Sequence, residues 1–135
     1  MEQIDKELLL KDLCARLPYG VICKDDYAKV EGKLVQIGIN YDMCLLSDDY
    51  GKTEFAYIPN CRPYLFPLSS MTEEQKEFIK NNFCYDWDID DHPYSWWAQS
   101  MEIGDADELI DWFIKNNFDY RGLIPKGLAI DATGL

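Results

Sequence analysis

The sequence predicts an α+β protein: an N-terminal helix, a small antiparallel sheet, then two helices and an extended C-terminal tail. Three observations lead there. Leucines recur at helical spacing near the start, strand-like alternation broken by tight polar turns fills residues 20–60, and two helix-start patterns follow residue 70. A chain of 135 residues is expected to form a single domain over 1–135, and its 47% apolar content supplies a core.

Residues 5–17 read as the first helix. Asp5 is a candidate N-cap, Ile4 and Leu9 are placed for a hydrophobic staple, and Leu9, Leu13 and Leu17 form one stripe. Pro18 and Gly20 end it, giving an N-terminal helical part over 1–18. Strands follow at 20–24, 28–40, 43–46 and 53–58, with Gly32 as a bulge or bend and turns at 40–42 and 48–51. Short strands joined by tight turns behind one helix predict, for 20–60, a small antiparallel sheet or an SH3/Sm-like barrel.

The remainder, 61–135, is expected to be helical and acidic. Pro63 and Pro67 keep 61–72 extended, and Thr72 with Gln75 forms a capping box opening a helix over 73–82. Asp105 and Glu108 form an analogous box before a third helix over 106–116. The two helices end in the same words, Phe78-Ile-Lys-Asn-Asn-Phe83 and Phe113-Ile-Lys-Asn-Asn-Phe118. Asparagine tolerates the left-handed conformation just past a helix end, and the next phenylalanine can fold back, so both copies read as a stop signal. Duplication of a helix-turn unit is the other reading of the repeat.

Charge and motif content exclude several functions. Twenty-five acids against 13 bases give a net charge of -12, which argues against direct nucleic-acid binding and against an anionic membrane surface. There is no apolar run long enough for a membrane span, and the acidic start does not read as a signal peptide, so a cytoplasmic location is expected. Cys14, Cys23, Cys44, Cys61 and Cys84 include no CxxC pair and read as small, reduced core residues, with no metal and no cofactor expected. The lone histidine, His92, matches no nucleophile motif, and no phosphate-binding glycine pattern occurs, so the expectation is that the protein is not an enzyme. Asp86, Asp88 and Asp90 have EF-hand spacing, but Asp91 and Trp97 stand where glycine and glutamate are required.

Two candidate sites remain. Residues 86–119 hold ten of the 25 acids and one base, and the same neighbourhood carries Trp87, Tyr94, Trp96 and Trp97 beside Asp88, Asp90 and Asp91. Aromatics among acids suit a protein-binding patch, since aromatics dominate hot spots and charge steers encounter; the plain alternative is core aromatics with a solvated loop. Tyr120, Arg121 and Lys126 form the second candidate, a clamp in which arginine and lysine meet phosphate or carboxylate beside an aromatic ring. The alternative there is an arginine tying the tail to the acidic loop.

Residues 8–21 (LLLKDLCARLPYGV), 61–74 (CRPYLFPLSSMTEE) and 110–129 (IDWFIKNNFDYRGLIPKGLA) resemble a family of small uncharacterised proteins encoded by phages and prophage-like elements of anaerobic gut bacteria. The resemblance implies a phage or mobile-element origin and action in the cytoplasm of the bacterial host. It assigns no activity and no site residues. Together with the acidity and the aromatics, it points to a non-enzymatic interaction protein for a host or phage macromolecule, with counter-defence as the role. The alternative is a small-ligand protein that sequesters a nucleotide.

Overall fold

The computed structural model describes residues 2–38, 42–83 and 103–134. It is α+β, with the chain divided between two compact units: Met1–Tyr64 with Gly127–Ile130, and Leu65–Lys126 with Asp131–Leu135.

The first unit opens with α1 (Gln3–Arg16), which starts earlier than the sequence suggests. Its N-cap is Glu2, without a side-chain cap, so Asp5 sits in the first turn, where its charge still complements the helix dipole. Ile4 is exposed and forms no staple. Leu9 and Leu13 are fully buried and form the stripe, while Leu17 is half-buried and begins a 3-10 turn that Gly20 ends at a positive φ of 77°.

Five strands follow: β1 (Ile22–Asp25), β2 (Val30–Gly38), β3 (Met43–Ser47), β4 (Thr53–Tyr57) and β5 (Cys61–Pro67). Their order is β4-β3-β2-β1-β5 and every pairing among them is antiparallel. A 3-10 turn (Ile58–Asn60) links β4 to β5. Pro63, which the sequence places in an extended segment, sits inside β5, opposite Cys23 of β1.

The irregularity in β2 lies between Leu34 and Gln36, not at Gly32. The extra residue, Val35, resets the parity of the strand, so that Leu34 faces inward opposite Leu46 and Ile37 still meets Cys44. Gly32 is required for a different reason: a Cβ there would lie 2.4 Å from the Ser47 carbonyl oxygen.

The sheet is strongly curled. Cys44 on β3 and Cys61 on β5 are separated by two intervening strands, yet their sulfurs are 3.9 Å apart. Flat strands in those positions would stand roughly 14 Å apart. Inside this tight curve stand small residues (Cys23, Cys44, Ala56, Cys61) with Leu34, Leu46 and Ile58, and Leu9, Leu13 and Val21 are buried in the same unit.

In the second unit, α2 is Glu73–Phe83 and α3 is Ile103–Lys115. The capping box at α2 is reciprocal: the Gln75 N–H donates to Thr72 Oγ1 (3.2 Å) and the Thr72 N–H to Gln75 Oε1 (2.9 Å). α3 begins two residues ahead of Asp105, which therefore lies within the helix rather than at its cap. The repeated hexapeptide behaves differently in its two copies. In the second, Asn117 takes a φ of 61°, its N–H donates to the Ile114 carbonyl, and Phe118 stacks back on Trp112 at 5.6 Å. In the first, α2 runs through Asn81 and Asn82 to Phe83, so the words do not stop the helix.

Phe118–Asp119 forms β6, parallel to the second half of β5, which makes the sheet mixed where a purely antiparallel one was expected. The tail is folded rather than extended. Asp119 accepts the N–H groups of Leu123 (2.8 Å) and Ile124 (2.9 Å), Leu123 is fully buried, and Ile130–Asp131 forms β7, which pairs with β5. No described helix is long and apolar enough to cross a membrane.

Candidate functional site

The acidic aromatic candidates Trp87, Tyr94, Trp96, Trp97, Asp88, Asp90 and Asp91 lie outside the described residues, as do His92 and Cys84. The second candidate set is described. Tyr120 is 2% exposed, stacks on Phe113 (centroids 6.1 Å apart) and lies under the Arg121 guanidinium, 4.8 Å from the ring centroid. Its ring is thus a core residue with an arginine already seated on it. Lys126 is exposed on the following turn.

The thiols sort by position. Cys23, Cys44 and Cys61 are buried in the curled sheet, whereas Cys14, expected in the core, is exposed on α1. The Cys44 thiol donates to Cys61 Sγ; that hydrogen bond, followed by burial, pushes the Cys44 thiol far above its ordinary range. Cys61 is also raised, first by its contact with Cys23. Neutral thiols are poor nucleophiles and poor metal ligands. Among the described residues no cluster of His, Cys, Asp or Glu could hold a metal ion. Among the four described cysteines, iodoacetamide at about pH 8 is therefore expected to modify Cys14 first, with Cys23, Cys44 and Cys61 reacting only after unfolding. Peptide mapping by mass spectrometry reads this directly, and Cys44 reacting as fast as Cys14 would refute the burial argument.

A surface that the sequence does not advertise lies on the outside of the first unit's sheet. Cross-strand register sets Gln36, Leu45 and Phe55 in one row and Gly38, Met43 and Tyr57 in the next. Phe55 is 67% exposed, and Val35 and Tyr57 are exposed as well. Gln36, Gly38, Met43, Cys44, Leu45 and Phe55 line a groove of about 470 Å³. Gly38, lacking a side chain, leaves the recess.

The same outer face is quite different toward β1 and β5. There Asp26 pairs with Arg62 and, at 3.5 Å, with Lys24; Glu31 accepts from the Tyr64 hydroxyl, which raises the Tyr64 pKa. One half of the face is thus occupied by charges that satisfy each other, while the other presents large apolar side chains. Single exposed apolar residues are ordinary on protein surfaces; a contiguous group with a recess is the feature of binding surfaces.

The signal lies at residues 55–58, where Phe55 and Tyr57 alternate with Ala56 and Ile58. Ala56 and Ile58 are the buried pair. No protein-family model matches the chain, and neither a curated protein nor a solved structure matches it.

Proposed function

We propose that this chain is an acidic, non-enzymatic protein-interaction module in which an SH3-like barrel presents an apolar outer face to a basic protein partner. The observation that carries the reading is the groove lined by half-buried Met43 and Leu45 and exposed Phe55, with Val35 and Tyr57 exposed on the same strands. The strand order β4-β3-β2-β1-β5, the 3-10 turn before β5 and the sulfur contact across the sheet support the barrel. A net charge of -12 supports a basic partner, because charge of this magnitude accelerates encounter with an oppositely charged surface and repels like-charged ones. With the phage resemblance, the partner is a host protein met in the bacterial cytoplasm, and blunting a defence system is the role. The sequence around Trp96 and Trp97 also combines aromatic with acidic residues.

The test is capture from a lysate of the natural host, read by native mass spectrometry, with wild type beside Phe55→Lys and Tyr50→Ala. Both side chains are exposed, so each variant is expected to remain folded within about 0.5 kcal/mol. Wild type and Tyr50→Ala are expected to hold one stoichiometric protein partner that Phe55→Lys loses by roughly tenfold or more. A few-hundred-dalton adduct on all three would overturn the reading in favour of ligand sequestration. A protein partner indifferent to Phe55→Lys would remove this face from it.

A further inference from the structure

Resting on that reading, we infer that the partner binds by adding a strand to the free edge of β4, as an extended segment alternating apolar and basic residues. The hydrogen-bond parity of the ladder sets up this edge. The Ile58 N–H donates to the Asp42 carbonyl (2.8 Å) and the Asp48 N–H to the Lys52 carbonyl (2.9 Å), bracketing the β3–β4 register at both ends. In an antiparallel pair, hydrogen-bonded and non-hydrogen-bonded positions alternate. Glu54 and Ala56 therefore direct their main-chain groups into β3, and Thr53, Phe55 and Tyr57 direct theirs outward.

The Tyr57 N–H confirms the direction, because it leaves the sheet to reach Asp25 Oδ2 at 3.3 Å. Among the described residues no strand pairs with the outer side of β4, so the N–H and C=O groups of Thr53 and Phe55 form an open template.

Side-chain chemistry specifies what fits. A strand laid antiparallel on β4 alternates its side chains between the two faces. Those on the outer face extend the row Gln36, Leu45, Phe55 and meet Phe55 and Tyr57, so they are apolar. On the other face the position beside Glu54, which Lys52 approaches at 4.0 Å, with Asp48 and Asp49 at the hairpin end, takes a basic side chain, while the position beside buried Ala56 takes a small one. A second copy of this chain is a poor occupant, since it would bring a charge of -12 against another of -12. Main-chain pairing supplies affinity in this mode and the alternate side chains supply selectivity.

The experiment uses the full chain and a fluorescent peptide of about seven residues alternating lysine with valine and phenylalanine. Its control is the same peptide with alternate backbone nitrogens methylated, which keeps charge and side chains but removes the pairing donors. The plain peptide is expected to bind roughly tenfold or more tightly than the methylated one, and to slow hydrogen exchange at the Thr53 and Phe55 amides. Thr53→Pro, at the first residue of an edge strand where proline is tolerated, is expected to weaken it by a similar factor.

Equal affinity for the two peptides, absence of binding, or unchanged exchange at Phe55 overturns strand addition. The host capture separates this failure from that of the broader reading. Loss of the partner in Phe55→Lys but not in Thr53→Pro removes strand addition and leaves the interaction face. Retention in both removes the face itself.

Discussion

Replacing Asp25 with alanine is expected to cost about 3–5 kcal/mol of folding free energy, from three hydrogen bonds to a buried carboxylate. Asp25 is the last residue of β1 and is almost fully buried. Its Oδ1 accepts the N–H groups of Tyr27 and Ala28, each at 3.0 Å, which shapes the turn into β2, where Lys29 adopts a φ of 59°. Its Oδ2 accepts the Tyr57 N–H from the far end of β4. One side chain thus fixes the β1–β2 connection and joins the ends of two strands separated by β2 and β3 in the sheet. Alanine would leave all three donors without that acceptor. Asparagine, with a single amide oxygen, can keep either the turn pair or the Tyr57 bond, so Asp25→Asn is expected to lose roughly half as much. Urea midpoints at constant slope measure both, and a loss below about 1 kcal/mol for the alanine variant would contradict the closing role given to this residue.

Strand positions were legible because turn chemistry and alternation survive in one dimension. Which side of each strand faces inward was less so. Large apolar residues are expected inside, yet β4 buries Ala56 and exposes Phe55 and Tyr57, and Ile58 just after it is buried. The inside of a tightly curled sheet has room for cysteine and alanine, and curvature is a property of the whole sheet that no single strand announces. The bulge at Val35 hides the parity of β2 in the same way. The repeated hexapeptide shows the limit of local stop signals. Asn117 turns the chain because Phe118 finds Trp112 to stack on and Phe66 of β5 to pair with; the same words in α2 remain helical. The described candidate face draws its residues from three strands, so it existed only as scattered letters until register assembled it. Asp25 and Asp12 were missed for a simpler reason: carboxylates in an acidic chain read as solvated.

The second large effect concerns Asp12 and Arg16. Both are fully buried on α1, one helical turn apart, with the Arg16 Nε donating to Asp12 Oδ2 at 2.8 Å. Taking two charges out of water is costly, and their attraction offsets that cost only while both are present. Arg16→Met takes the guanidinium away from a buried carboxylate, so it is expected to destabilise by about 3–5 kcal/mol. Asp12→Leu takes the carboxylate away from the buried guanidinium and is expected to cost a similar amount. In the double variant neither charge remains to be desolvated, and leucine and methionine fill comparable space beside Leu9 and Leu13. Its stability is expected to lie within about 1–2 kcal/mol of wild type, well above either single variant. Urea denaturation of the four proteins closes the cycle. Additive losses would mean that the two side chains act independently despite their contact. A double variant as stable as wild type would mean that the pair contributes little net stability.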